Sequence, residues 1–341
     1  MTVIVQKGDA LVGIAKQAAK GTPAAHAWYA HALSSGKPIT VDISQDADAI
    51  TAGQRTRAAG IRTGVAPSLG PLTTHAYMRA LGLYLLGVYG NVVDAGTSGA
   101  YTHTYSTGDT LPYLTAFSLL DQEYQQVSDI KIGNLGLAWD GPGPVALSVD
   151  GAGCAVNAKL GAAWTLPSGG NNETGSEAFL IPTGGTFKVA ATGDTPATAL
   201  ITGGEITIGN ELDAIPTSAS LLPGDQGEKM QNFAATLKVV PEDLALWRTI
   251  LTGSPTGTAP QETPAYGSFE VDFTEHGVGT GTLALRAHKV AFLCDFPDID
   301  PAGGYVELDL AGVCFYDGTN CPIVAVLTNA VQYYGSGAPG S

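Results

Sequence analysis

The chain has 341 residues, and its 31 acidic residues outnumber its 16 basic residues to give a formal net charge of −15. This balance disfavours a nucleic-acid-binding protein, because phosphate contacts require clustered lysine and arginine. A hydrophobic fraction of 44% is too high for a disordered chain, and no apolar run reaches the roughly 20 residues of a membrane span. The 45 glycines and 20 prolines favour many turns between short strands, so we predict a mainly β fold.

The N-terminal residues, 1–38, are interpreted as an arm that precedes the first domain. They contain no basic head followed by an apolar block, so we expect no signal peptide. Residues 39–43 alternate apolar and polar side chains, which predicts a half-buried strand. Residues 46–67 have no usable period and predict a long loop. A loop of this length is usually functional or ordered by a partner, and a solvated basic loop is the alternative.

Residues 72–90 predict the first of two amphipathic helices. Thr73 or Thr74 suits the N-cap, and Gly90 suits the C-terminal end, where glycine adopts the left-handed conformation at little cost. The apolar face would consist of Tyr77, Ala80, Leu81, Tyr84, Leu85 and Val88.

Residues 241–253 predict the second helix. Pro241 suits the first helical position, and Glu242 and Asp243 place negative charge at the positive end of the helix dipole. Gly253 is expected to end the helix. The apolar stripe would consist of Leu244, Trp247, Ile250 and Leu251.

Alternating side chains predict the strands between and after these helices. In residues 129–139 the alternation shifts at Gly133 and Asn134, which predicts a bulge. The inward side chains of this strand would be Ile130, Ile132, Leu135, Leu137 and Trp139. A second long loop is expected at residues 213–225. The other predicted strands are residues 100–105, 114–120, 145–149, 186–190, 206–208, 233–240, 268–274, 282–287, 290–295, 304–310 and 323–328.

The order and spacing of these elements recur along the chain. Residues 39–43 and 206–210 both begin Ile-Thr, at an offset of 206 − 39 = 167, and the predicted helices are related by the same offset. The Gly/Cys-rich strand ends at Cys154 and Cys314 are separated by 314 − 154 = 160 residues. We interpret this as an internal duplication; chance similarity among β segments is the alternative. The predicted units are an arm (1–38), two tandem β-sandwich or barrel domains with one short helix each (39–170 and 171–334), and a flexible tail (335–341).

The sequence contains no pattern that indicates catalysis, a cofactor or a metal. Residues 298–309 begin like a calcium loop, but Ala302 occupies an expected ligand position and the last position is Asp309 instead of glutamate. The four cysteines lack paired C-x-x-C spacing, so we expect buried thiols in a reducing cytoplasm, with a Cys314–Cys321 bridge as the alternative. We therefore expect a protein that is not an enzyme.

Several segments together resemble one protein family. The N-terminal GIAKQAAKGTPAA leads to a strand, a long loop and a helix that ends LGLYLLG, and these are followed by GAYTHTYSTGDTLPYLT, DIKIGNLGLAWDGPGPVALSVDG and the closing CPIVAVLTN. This layout resembles the tail tube protein (major tail protein) of bacteriophages with long, non-contractile tails. The resemblance covers most of the chain and is one of layout.

The resemblance implies a β-sandwich flanked by a helix that self-assembles into stacked rings. The rings would form the hollow tail tube of the virion, through which DNA passes into the host without specific binding. The expected partners are further copies of the chain, the tape-measure protein and tail-end proteins, with assembly in the host cytoplasm and no membrane association. A fused pair of domains resembles the variant that builds a trimeric ring with pseudo-sixfold symmetry. The alternative is a secreted or surface β-repeat adhesin or carbohydrate-binding module.

The two predicted long loops carry charges of opposite sign. We expect them to reach ring-to-ring contacts, with arginines on one ring meeting carboxylates on the next. Single exposed pairs contribute only about 0–1 kcal/mol, but repetition around a ring multiplies them. The predicted stacking residues are Arg55, Arg57, Arg62, Asp213, Asp225 and Glu228.

Overall fold

The fold is mainly β, as the composition predicted. The computed structural model describes residues 11–24, 29–47, 60–97, 100–120, 123–160, 171–172, 178–277, 279–297 and 304–335. All recorded strand pairs among these residues are antiparallel, except one short parallel pair between residues 29–30 and 171–172.

The chain contains the following elements in order. The earlier strands are β1 (Leu11–Lys16), β2 (Tyr29–Ala32), β3 (Ser35–Gly36), β4 (Ile39–Ala47), β5 (Gly60–His75), β6 (Gly90–Thr97), β7 (Ala100–Thr107), β8 (Leu114–Leu120), β9 (Glu123–Asp140), β10 (Ala146–Ala152), β11 (Ala155–Leu160) and β12 (Asn171–Asn172). The later strands are β13 (Leu180–Ile181), β14 (Phe187–Ala190), β15 (Ala197–Thr198), β16 (Leu200–Ile215), β17 (Asp225–Val240), β18 (Tyr266–Glu275), β19 (Thr282–Leu293), β20 (Leu308–Cys314) and β21 (Val324–Asn329). The helices are α1 (Met78–Tyr89) and α2 (Ala245–Thr252).

Both helices end at the predicted glycine. Gly90 has φ 88° and donates its backbone N–H to the carbonyl of Leu86. Gly253 has φ 72° and donates to the carbonyl of Thr249. Positive φ at these positions is the left-handed conformation that glycine adopts without the steric cost of a Cβ atom.

The predicted helix starts are wrong. Residues 72–75 belong to β5, where they pair with β10, and the Thr74 hydroxyl donates to the carbonyl of Ala32 instead of capping a helix. Helix α1 begins only after Tyr77, and α2 begins after Leu244, so Pro241 precedes the helix by several residues. Residues 72–75 also fit a helical period, but their pairing with β10 holds them in a strand.

The predicted bulge in the strand at residues 129–139 is confirmed. Asn134 pairs with Asp150 and Ile132 pairs with Gly151, so Gly133 is the extra residue of β9. All five side chains predicted to point inward are buried, with Trp139 the most exposed at 5%. The strand predicted at residues 114–120 is β8, whereas the two strands predicted at 282–295 are the single strand β19 and the one predicted at 304–310 lies four residues later, as β20.

The two predicted long loops are shorter than expected. Strand β5 begins at residue 60 and pairs with β4, so residues 60–67 extend a hairpin; residues 48–59 lie outside the described residues. Strands β16 and β17 also form a long hairpin, and only residues 216–224 connect them. The second predicted loop is therefore present with slightly narrower bounds, whereas residues 60–67 of the first predicted loop form a strand.

The described part of residues 1–38 is built into the sheets. Strand β1 pairs with β2 on one edge and with β8 on the other. The side chains of Val12 and Ile14 are completely buried. These residues therefore belong to the first set of strands instead of projecting from it as an arm.

One pattern of strand pairing occurs twice in the chain. In the first set β1 pairs with β2 and β8, β5 pairs with β4 and β10, and β9 pairs with β8, β10 and β11. In the second set β14 pairs with β15 and β18, β17 pairs with β16 and β20, and β19 pairs with β18, β20 and β21. The helix of each set follows the same strand, β5 or β17. An internal duplication would produce this recurrence.

The two sets join in one continuous sheet. The edge of β16 that faces away from β17 pairs with β9, with Leu137 opposite Ile206 and Leu135 opposite Ile208. Eight strands are therefore hydrogen-bonded in the order β4–β5–β10–β9–β16–β17–β20–β19, four from each set. The hairpin β6–β7, which has no counterpart among the described strands of the second set, joins the halves a second time through β21.

Helix α1 packs beneath this sheet at the junction of the two sets. All its residues except Arg79 are buried. The Asn210 side-chain amide donates to the carbonyls of Val88 in α1 and Ile132 in β9, both at 3.0 Å. The Asn210 side chain thus links helix α1, strand β9 of the first set and strand β16 of the second set within the core.

A buried polar cluster fixes the C-terminal segment against this core. The hydroxyl of Tyr334 donates to the carbonyl of Arg79 at 2.8 Å and accepts from the Asn329 amide at 2.9 Å. Its ring lies 4.7 Å from the His103 ring, and the His103 ring nitrogen Nδ1 lies 2.7 Å from the Asp94 carboxylate. Residues 336–341 of the predicted tail lie outside the described residues.

All four cysteines are free, so the alternative Cys314–Cys321 bridge is not formed. Cys154 and Cys314 are buried, as predicted, while Cys294 and Cys321 are partly exposed. Burial raises the pKa of the Cys314 thiol to about 12. This thiol is therefore protonated and unreactive at neutral pH.

Candidate assembly surfaces

The eight-stranded sheet has one face without a covering layer. Along β17 and β20 buried and exposed side chains alternate, so one face lies on the core and the other faces solvent. The open face carries mainly small and polar residues, with four carboxylates and one lysine on its central strands, and it also carries the exposed apolar side chains of Leu293 and Val313, opposite Ala311 and Ala234. Its side chains include Asn134, Ala138, Ser148, Asp150, Glu205, Thr207, Glu211, Asn232, Ala234, Thr236, Lys238, Asp309 and Ala311.

Two of the four carboxylates of the open face accept hydrogen bonds from neighbouring amides. The Asn134 amide donates to Asp150 at 3.0 Å, and the Asn232 amide donates to Glu211 at 3.2 Å. Lys238 is the register partner of Asp309 on the next strand. The face is thus weakly acidic and offers few cationic side chains to bind a polyanion.

The two long hairpins lie side by side. The backbone N–H of Val65 in the β4–β5 hairpin donates to the carbonyl of Leu221 in the turn of the β16–β17 hairpin, at 2.8 Å. A shallow cavity between them is lined by both hairpins, from Ser44 and Gly64 on one side to Pro216 and Leu222 on the other. The structure therefore brings together the two regions that were predicted to carry the stacking charges.

The predicted stacking residues occupy different environments. Arg55 and Arg57 lie outside the described residues, whereas Arg62 is exposed on β5. Asp213 is exposed on β16 and pairs with Lys229 of β17, at 2.9 Å. Arg62 and Asp213 both lie on the hairpins, and their role in ring stacking stays a prediction.

Asp225 and Glu228 contact side chains of the first set of strands, and their role in ring stacking stays a prediction. Lys131 of β9, whose side chain is 7% exposed, lies 2.8 Å from the Glu228 carboxylate and 3.7 Å from that of Asp225. Lys20 lies 2.7 Å from Asp225, and the Tyr113 hydroxyl donates to the same carboxylate. Sequence reasoning missed Lys20, Lys131 and Tyr113, because nothing in their local pattern indicates partners about one hundred to two hundred residues away.

These contacts perturb the ionisation of Asp225 and Lys131. Burial raises the pKa of Asp225, but the hydrogen bond from Lys20 and the other contacts outweigh it and leave the pKa below its usual value. Burial lowers the pKa of Lys131, but the hydrogen bond to Glu228 and the charges of Glu228, Tyr113 and Asp225 together outweigh it and leave the pKa above its usual value. The charged forms of both groups are therefore favoured by the folded state.

We expect Lys131→Met to lower the free energy of unfolding by about 2–3 kcal/mol, because Glu228 loses its charged hydrogen-bond partner while Asp225 keeps only Lys20. The matched control Lys229→Met breaks an exposed pair and should cost less than about 1 kcal/mol. Urea unfolding of both variants at pH 7 measures the difference. Because the folded-state pKa of Asp225 is depressed, its contribution is complete above the unfolded pKa and is lost as the pH falls through the lower folded value. Equal effects of the two substitutions would contradict this assignment.

No group of histidine, cysteine, aspartate or glutamate side chains with the arrangement of a metal site occurs among the described residues. Residues 298–303 of the rejected calcium loop lie outside them. In the part of the chain that the structure describes, no helix is both long and apolar enough to span a bilayer.

Comparison with known proteins gives no assignment. No protein-family model matches the chain, and no curated protein matches it at a significant level.

Proposed function

We propose that the chain is a structural protein that assembles into stacked rings forming a hollow tube for the passage of DNA, as the tail tube protein of a long, non-contractile phage tail. The observation that carries the proposal is the continuous eight-stranded sheet with one uncovered, weakly acidic face. Among the described residues the sheet ends on one side in β4 and on the other in the C-terminal end of β19, where Phe292 and Leu293 pair with β20 and have no recorded partner on their second edge. Unpaired sheet edges promote association with another chain, and closure into a ring removes them.

The size of the sheet fits a tube lumen. With three copies the ring would contain 3 × 8 = 24 strands, and strands lie about 4.8 Å apart, so the barrel would be about 37 Å wide before strand tilt widens it further. Such a barrel is wider than a DNA duplex. An acidic, smooth lining would let DNA slide, because phosphates would find few cations to bind.

The recurrent pairing pattern supports three copies over six. If each set of strands is one tube domain, three chains supply six domain positions. Fusion makes every second junction intramolecular, so fewer independent bodies lose translational freedom on closure. The tape-measure protein and tail-end proteins would be the further partners of the assembled tube.

Negative-stain electron microscopy of the concentrated protein tests the proposal. Rings or long hollow tubes are expected. The proposal would be contradicted if the protein stayed monomeric under every assembly condition, including with the tape-measure partner present. That result would favour the adhesin or carbohydrate-binding alternative.

Stacking can be tested separately. Replacing Arg55, Arg57 and Arg62 together with glutamate is expected to leave soluble rings that stack poorly, because the charges would repel carboxylates on the next ring. Microscopy and light scattering would measure tube length against the unchanged protein. Tubes of normal length from the triple variant would rule out a stacking role for these arginines.

A further inference from the structure

By the recurrent pairing, the two outer strands of the eight-stranded sheet, β4 and β19, are the counterparts of β16 and β9, which pair with each other inside the sheet. Strand β16 has neighbours on both edges, β17 and β9, whereas β4 pairs only with β5 among the described residues. The internal β9–β16 junction is therefore a template for a junction that one chain cannot make alone.

Residues on the two outer strands can be matched to those of the template. Ile132 of β9 lies opposite Gly151, and Phe292 of β19 lies opposite Gly312. Ile132 and Phe292 are therefore counterparts. Because Gly133 is an extra residue in the β9 bulge, Leu135 and Leu137 correspond to residues 294 and 296. On the other strand, Ile206 and Ile208 correspond to residues 39 and 41 by the shared Ile-Thr start.

Exposure differs sharply between the template and its counterparts. Leu137 is completely buried at the internal junction, whereas its counterpart Phe296 is 54% exposed. Asn210 on β16 is 7% exposed, and its counterpart Ile43 on β4 is 50% exposed. Phe296 and Ile43 thus stand uncovered at positions that the internal junction buries, whereas Ile39, the counterpart of Ile206, is already buried within the single chain.

The second helix shows the same difference. Helix α1, which covers the β9–β16 junction, is buried along almost its whole length. Its counterpart α2 has only Thr249 and Thr252 fully buried, although Trp247 contacts Phe296 with ring centroids 5.0 Å apart. Helix α2 therefore lies at the end of β19 with part of its apolar surface still unoccupied.

The strand directions permit closure. Neighbouring strands of the eight-stranded sheet are antiparallel, so the first, β4, and the eighth, β19, run in opposite directions. Copies related by rotation about an axis along the strands would present β19 of one to β4 of the next in antiparallel orientation. This is a heterologous contact of the kind that closes rings.

We propose that residues 293–296 of one copy extend β19 and pair with residues 39–42 of β4 in a second copy, in the register of the internal β9–β16 junction. In the internal junction Leu135 lies opposite Ile208, so Cys294 lies opposite Val41 of the neighbouring chain. Phe296 then lies beside Ile39 and is covered by the neighbour, as Leu137 is covered by Ile206. The inference rests on the proposed function, because it specifies how the rings close.

A cysteine cross-link tests the register. Directly opposite residues of antiparallel strands have Cα atoms about 4.5–5.5 Å apart, within the range that a disulfide spans. The full-length Val41→Cys variant, assembled and then oxidised, should form a disulfide with the native Cys294 of the next copy. Dimers and trimers that disappear on reduction are expected on a denaturing gel.

Two matched controls define the result. Thr40→Cys shifts the thiol by one residue to the opposite face of the strand and should not link, and Val41→Cys combined with Cys294→Ser should not link either. Native mass spectrometry of the same samples separates the possible failures. Rings without the link would overturn the inferred junction and leave the proposed function standing, whereas chains that remain monomeric would overturn both.

Discussion

Phe296→Asp is expected to give a folded chain that no longer forms rings. Phe296 is 54% exposed in a single copy, so folding loses little more than its contact with Trp247. In the assembled ring the new carboxylate would be buried between two chains without a cation. An uncompensated buried charge costs about 3 kcal/mol or more, which weakens each junction by more than about a hundredfold.

Tyr316→Asp is the matched control for this prediction. Tyr316 is also a large exposed side chain, at 60%, but it follows the opposite end of β20 from the inferred junction. Its variant should form rings like the unchanged protein. Sedimentation velocity would measure ring content, and thermal unfolding would show that both variants remain folded. Normal rings from Phe296→Asp would contradict the inferred junction.

Tyr334→Ala is expected to cause the largest loss of stability, about 4 kcal/mol. The substitution empties a fully buried aromatic site, and losses of about 3–5 kcal/mol are typical for such truncations. It also removes the hydroxyl that bonds to the Arg79 carbonyl and the Asn329 amide, so buried polar groups lose their partner. Urea unfolding followed by circular dichroism would measure the effect.

The adjacent tyrosine provides the control for this effect. Tyr333 is 37% exposed, so Tyr333→Ala should cost less than about 1 kcal/mol. Gly82→Ala should also lower the free energy of unfolding, by less than Tyr334→Ala does, because a Cβ atom at Gly82 would overlap the Tyr334 ring. Equal stabilities of the Tyr334 and Tyr333 variants would show that the C-terminal segment does not brace the core.

Local signals in the sequence predicted those features that a few neighbouring residues determine. The ends of both helices follow from glycine at Gly90 and Gly253, where positive φ is required. The bulge at Gly133 follows from the break in alternation along one strand. The start of α1 was not predictable in this way, because residues 72–75 fit a helical period but are held in a strand by pairing with distant β10.

Long-range pairing explains the other differences. Lys131 lies against the carboxylates of both Asp225 and Glu228 within the same chain, and the acidic character of their segment alone does not indicate this partner. The β9–β16 junction could not be read from the sequence, because strand alternation shows which face is buried but not which strand lies alongside. The spacing of 167 residues did indicate that the second half repeats the first, and the recurrent strand pairing is consistent with it.

The mass of the assembled ring tests the central proposal most directly. Each chain would supply two of the six domain positions of a ring, and its two inferred edges join head to tail, so a closed ring of three chains is predicted. Native mass spectrometry should then give about three times the chain mass of 34.8 kDa. A mass equal to one chain would contradict self-assembly, and a mass of six chains would contradict the assignment of two tube domains to each chain.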